Sequence, residues 1–187
     1  MRPINRHYEA NNRQQVFLNT FAVPSAKGRQ RSENFKWSTD TLFIFVDASE
    51  LNSSGIFGLA SCFVGQGEVI VKSRKHYAQL FKKQNPYAEY AAIWFAIQTL
   101  FAVIKQKYQK PEHVLLFSDF VHPEDLTISS VEKNRLNPII EKIILSKNTF
   151  LSSYPQIELT FELMTKEMKH HNPYYRAAHN ASRKVLH

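Results

Sequence analysis

Asp47 and Asp119 are two of only four aspartates in this 187-residue chain. Each closes an apolar run, TLFIFVDAS (41–49) and HVLLFSDF (113–120). Between them, NPYAEYAAIWFAIQTLFAVI (85–104) carries a single acid, Glu89, in an apolar helical stretch. Burying a carboxylate is costly unless it is hydrogen-bonded, paired or bound to a metal. Three acids so placed suggest a carboxylate cluster holding divalent cations, the arrangement of two-metal phosphodiester chemistry. Plainer uses compete: Asp47 as a strand-end turn residue, Glu89 as an acid favoured by the helix dipole, and Asp119 as a helix cap.

The elements that position these acids are legible in outline. LFIFV, from Thr41 onward, is apolar throughout, as in a strand covered on both faces. ELNSSG is a turn, IFGLASCFVG (56–65) a second strand, and GQGEVIVKSRKH turns at Gly65–Gly67 into a third. Asn85-Pro86 opens a buried helix, with Pro in a favoured first-turn position. A helix between two apolar strands is a βαβ-type crossover, so VLLFSDF is a fourth strand. Residues 123–150 are expected to form two helical pieces separated at Asn137-Pro138. IELTFELM (157–164) is a fifth strand and NPYYRAAHNASRKVL (172–186) a terminal helix. Residues 1–40 are polar and basic. QQVFLNTFAV (14–23) is a short element ended by Pro24, and SAKGRQRSEN is expected to be flexible. The division is therefore an extension, 1–40, and a domain, 41–187.

Composition bounds the partners. The net charge is +8. Residues 1–39 hold seven Lys/Arg against two Glu, and residues 165–187 hold five against one, while the middle is close to neutral. Two basic ends point to a polyanion, although a basic tail also serves solubility. With one cysteine, Cys62, neither an intrachain disulfide nor a cysteine zinc site is possible, and a reducing, cytoplasmic compartment is expected. No signal peptide is expected in MRPINRHYEANNRQ, and no apolar run approaches the length of about 18 residues that marks a membrane span, so no membrane partner is expected.

The order β-β-β-α-β-α-β-α, with acids after strand one, in the first helix and after strand four, resembles the ribonuclease H-like superfamily. It is most similar to the ribonuclease HI and reverse-transcriptase ribonuclease H type. FVDASELNSSGIFGLASCFV resembles the opening hairpin, NPYAEYAAIWFAIQTL the Glu-bearing helix, and LLFSDF the strand ending in "TDS". RAAHNASRKV resembles the last helix, whose pattern is "AD-x-LAR". The resemblance covers residues 41–187. It implies an α/β fold with a five-stranded mixed sheet, three antiparallel strands then parallel ones, flanked by helices. It also implies metal-dependent hydrolysis of phosphodiester bonds by an endonuclease, most fittingly on the RNA strand of an RNA–DNA hybrid. Asp47 would bridge two Mg²⁺ ions, Asp119 would ligate one and Glu89 the other.

The pattern departs in two places. Phe120 replaces the serine of "TDS", and His179, beside Asn180, stands where a fourth Asp is found. His179 or Asn180 would complete the metal shell, and because imidazole suits Mn²⁺ better than Mg²⁺, Mn²⁺ is the alternative ion. Lys72, Arg74, Lys75 and Asn85 are nucleic-acid-binding candidates, with Lys82 and Lys83 nearby. A solvated basic face is the alternative. His170-His171 matches the family's mobile His-bearing loop or is an exposed pair. Tyr174-Tyr175 would stack on a base or pack under the last helix. Trp94, Phe95 and Phe101 have core spacing. The alternative function is an impaired module that binds nucleic acid or a protein partner, the latter through the extension. Exonucleases of the fold carry Asp-x-Glu in strand one, whereas Glu50 lies three residues after Asp47.

Overall fold

The apolar run LFIFV becomes β1, Thr41–Glu50, the central strand of a five-stranded sheet in this computed structural model. Residues 25–118 and 131–187 are described, with the backbone alone at 131–134. β1 pairs antiparallel with β2, Ile56–Gly65, which pairs antiparallel with β3, Glu68–Tyr77. On its other side β1 pairs parallel with β4, His113–Ser118, and β4 with β5, Glu158–Leu163. The spatial order is β3-β2-β1-β4-β5, antiparallel and then parallel, as expected.

The strand alternation of β1 serves two cores. Leu42, Ile44 and Val46 join the larger one, with Leu59, Leu116 and Leu159 from other strands. Two helices cover that face: α2, Asn85–Gln106, and α3, Val131–Ser153. Phe43 and Phe45 face the other way, into a smaller core with Val64, Phe117, Tyr174 and Ala178. That face is covered by α1, Ala26–Trp37, and α5, Pro173–Lys184, with the short α4, Lys166–Lys169, between β5 and α5. A 3₁₀ turn, Gln79–Phe81, links β3 to α2.

α2 is the one described helix long and apolar enough to cross a membrane. The sequence reading found no such run, because Glu89 and the interspersed polar residues masked it. Here α2 is the central core helix, with eleven buried residues, and burial against the sheet accounts for its composition.

Two expectations are corrected. The stretch SAKGRQRSEN is not flexible but forms most of α1, inside what composition assigned to the extension. Its apolar anchor, Phe35, sits in an aromatic cluster with Phe43, Phe45 and Phe117 at centroid distances of 4.5, 5.6 and 6.5 Å. Second, α3 runs unbroken through Pro138. An interior proline costs a helix about 3 kcal/mol. Burial of Ile139, Ile140, Ile143 and Phe150 on one helical side offsets it, at about 1.5–3 kcal/mol per side chain. The proposed element at 14–23 lies outside the described residues.

Candidate active site

Asp47 sits on the α5 face of the sheet, because its parity on β1 is that of Phe43 and Phe45. It is 5% exposed, a carboxylate taken out of water. The adjoining strand makes room for this: Asp47 lies opposite Ala60, and Ser49 opposite Gly58. A Cβ at Gly58 would fall on the carbonyl oxygen of Ser182 and lie 2.9 Å from Val185 Cγ1. Glycine at 58 therefore lets α5 lie directly on β2, and that contact brings the α5 side chains to Asp47.

Two of those side chains bond to it. Ser182 Oγ donates to Asp47 Oδ2 at 2.5 Å, and His179 Nδ1 stands 3.3 Å from Oδ1. Residues three apart on a helix share a face, so one helical turn presents both. Ser182 is fully buried. Its hydroxyl also lies 2.9 Å from the His179 carbonyl and 3.0 Å from Ser49 Oγ. One hydroxyl has one proton, and a bond to a carboxylate is about twice as strong as one to a neutral acceptor, so the proton goes to Asp47. Ser49 then donates to Ser182, and the order is Ser49 to Ser182 to Asp47. An ionised carboxylate only accepts, so the proton of a neutral His179 sits on Nδ1 and its Nε2 is the acceptor nitrogen.

Glu89 lies near the start of α2, half-buried, with Oε2 shielded from solvent. β4 ends at Ser118, which is buried, and its ladder pairs Phe117 with Phe45. Asp119, Phe120 and the residues up to 130 lie outside the described residues. Among the described residues no group of three His, Cys, Asp or Glu side chains is placed to hold a metal ion. Asp47 itself suits a hard cation. A carboxylate has about four lone-pair sites, and the bonds to Ser182 and His179 occupy two.

The basic candidates separate by environment. Lys72 and Lys75 are exposed on the edge strand β3, and Asn85 is exposed at the start of α2. Arg74 instead lies over the rings of Trp94 and Phe95, 5.0 and 4.9 Å from their centroids, and donates to Gln98 Oε1 at 3.3 Å. Burial lowers its pKa. Beside it His76 bonds Tyr87 Oη at 2.8 Å, and burial, then Arg74 and Lys142, lowers the histidine's pKa. Phe95 is buried, and Trp94 and Phe101 pack against the core, as their spacing indicated. Tyr174 is buried under α5 and donates to Ser32 O at 3.0 Å. Tyr175 stacks near His179, with centroids 6.2 Å apart. His170 is exposed, and its ring meets that of His171 edge-on at 3.8 Å.

Ser182, Ser49 and Gly58 were missed by sequence reasoning. The one available signal was Ser182 itself: in the string HNASR it occupies the small position that "AD-x-LAR" gives to alanine, three residues after His179.

The chain matches no family model and no curated protein sequence. Its fold is shared with solved structures. Ribonuclease H1 from the halophilic archaeon Halobacterium salinarum NRC-1 matches with a TM-score of 0.51, over 78% of this chain and 97% of that one, at 13% identity. LC11 ribonuclease H1, isolated from compost by a metagenomic approach, matches at 0.54 over 80% and 100%, with 16% identity. The same enzyme in complex with an RNA/DNA hybrid matches at 0.50 over 78% and 99%, with 17% identity. The chain thus has the ribonuclease H-like fold.

Proposed function

We propose that this ribonuclease H-like chain is a metal-dependent nuclease that hydrolyses phosphodiester bonds, with the RNA strand of an RNA–DNA hybrid as its substrate. The observation that carries the reading is Asp47: an acid buried on the central strand and held by two donors from the last helix. The hybrid bound by one structural neighbour supports the choice of substrate.

Asp47 and Glu89 would hold Mg²⁺, together with Asp119. A bound divalent ion would supply an activated water and charge stabilisation for the leaving oxygen. The chain's own contribution is orientation. Ser182 and His179 fix the carboxylate of Asp47, and Ser49 fixes Ser182, before any ligand arrives. Such preorganisation is what makes a charged site effective. His179 spends Nδ1 on Asp47 and keeps Nε2 for a proton or a ligand.

A second reading, an impaired module that binds nucleic acid without cutting it, is favoured by one observation: His179 replaces a carboxylate with a donor. Labelled RNA–DNA hybrid, with Mg²⁺ or Mn²⁺, separates the two. The nuclease reading expects cleavage that is stronger with Mn²⁺, abolished by Asp47→Asn, and raised with Mg²⁺ by His179→Asp. Binding without cleavage in either metal, unrestored by His179→Asp, selects the module.

A further inference from the structure

α1, the described part of the basic N-terminal stretch, meets the basic C-terminal segment. α1 has two large apolar residues, Phe35 and Trp37, and Trp37 is 62% exposed. Apolar burial through Phe35 alone would hold such a helix weakly. What locks it down is the segment around α4. Arg31 Nη2 donates to the carbonyls of Glu167 and His170 at 2.8 and 3.1 Å, and Ser32 O accepts the Tyr174 hydroxyl. Gly28 admits His171 so closely that a Cβ there would touch His171 Cβ at 3.4 Å.

This docking gathers charge. Lys27 and Arg31, one turn apart on α1, join Lys166 and Lys169 of α4 beside Glu167, and Arg176 of α5 faces His171 together with Arg31. Glu167 is itself occupied, 3.1 Å from Lys27 and 3.9 Å from Arg31. Among the described residues this segment brings five cations together around one carboxylate, Glu167. That face leads to the site. Lys169 Nζ lies 5.6 Å from the centroid of the Tyr175 ring, Tyr175 stacks near His179, and His179 contacts Asp47.

We infer that α1 with the α4–α5 start forms a docking face for the phosphate backbone of the nucleic acid whose strand lies at Asp47. The inference rests on the proposed substrate class but concerns binding outside the cutting site. Continuity with Asp47 through Tyr175, a ring on which a base or sugar can stack, selects nucleic acid over an anionic membrane. Each cation that neutralises a phosphate releases counterions, so this face must show in the salt dependence.

The test is anisotropy titration of a labelled RNA–DNA hybrid across salt concentrations without divalent metal. Lys27→Gln, Lys166→Gln and Arg176→Gln are combined, because all three side chains are exposed. Arg31 is left intact as the helix's anchor. The slope of log affinity against log salt should fall by about 2–3, from about 0.7–0.9 per lost contact. Thermal melting should be unchanged. Lys105→Gln with Lys147→Gln, on the helices of the opposite face, should leave the slope near wild type. Equal slopes for the triple variant and wild type overturn the inference, as does a wild type that fails to bind hybrid. Tighter binding to phosphatidylserine vesicles than to hybrid, lost in the triple variant, also overturns it in favour of a membrane. The proposed activity fails separately: hybrid that binds with the expected slope but is not cut, with Asp47→Asn indistinguishable from wild type, leaves this face standing and removes the nuclease.

Discussion

Ser182→Ala is the sharpest perturbation of the site, because it removes one oxygen and little else. That oxygen donates to Asp47 Oδ2 at 2.5 Å and accepts from Ser49. A hydrogen bond to a charged group contributes about 1.5–3 kcal/mol, and a buried acceptor left without its donor costs at least as much. Asp47 is 5% exposed, so water replaces the lost donor poorly. His179 still reaches the other oxygen, so the loss should be one bond and not the whole environment of the acid. The variant should therefore unfold about 1.5–3 kcal/mol more easily in urea, with an unchanged m-value. Asp47→Asn should cost less in the Ser182→Ala background than in the wild type, with a coupling of about 1–3 kcal/mol. A coupling near zero, with both single variants destabilised, would refute the reasoning. It would mean that the hydroxyl is satisfied by the His179 carbonyl, and that Asp47 is held by something else.

Two further outcomes are expected. Gly58→Ala places a methyl on the Ser182 carbonyl, and overpacking of this kind costs about 1–3 kcal/mol. Because relief requires α5 to lift from β2, the proposed nuclease activity should fall further than stability does, and a variant with normal activity would show that α5 tolerates displacement. Cys62 is buried, and desolvation pushes its thiol from 9.0 up to about 12. The folded pKa is raised, so this contribution is fully present below pH ~9 and is lost as pH rises toward 12. The stability difference between wild type and Cys62→Ala should shift against the wild type by on the order of 3 kcal/mol between pH 8 and pH 11, at 1.36 kcal/mol per pKa unit. A pH-independent difference would show that the thiol is reached by water.

How far the sequence carries depends on whether burial leaves a periodic mark. LFIFV announced a strand covered on both faces, and the structure fills one face with Leu42, Ile44 and Val46 and the other with Phe43 and Phe45. The helix before the fourth strand marked a crossover, while the mixed five-stranded sheet came from the family resemblance. α1 left no such mark, since its fixed points are an arginine bonded to backbone carbonyls, a glycine and a single phenylalanine. Composition alone reads those residues as a polar tail. Pro138 misled in the opposite sense: it is a strong local signal, overridden by the burial of Ile139, Ile140 and Ile143 just after it. At the site, the acids drew attention because a carboxylate in an apolar run has no local explanation. Ser182 drew none, since a serine in a helix is unremarkable until the opposite strand is known to carry an aspartate.

His179 acquires its meaning from that same neighbourhood. A carboxylate at its position would bring a second negative charge toward a buried Asp47, and without a cation between them the two would repel. A histidine with its proton on Nδ1 does the reverse: it donates a hydrogen bond to Asp47. Ser182 adds a second donor where the family pattern has a methyl group. The two substitutions act in one direction, replacing cation-dependent cohesion with hydrogen bonds from α5. The consequence for chemistry is a trade. Asp47 is oriented in advance, but two of its lone pairs are engaged and one expected oxygen ligand is gone. In the proposed nuclease, a site built this way would favour an ion that accepts nitrogen and tolerates irregular geometry, which is why the choice between Mg²⁺ and Mn²⁺ is informative about this chain in particular.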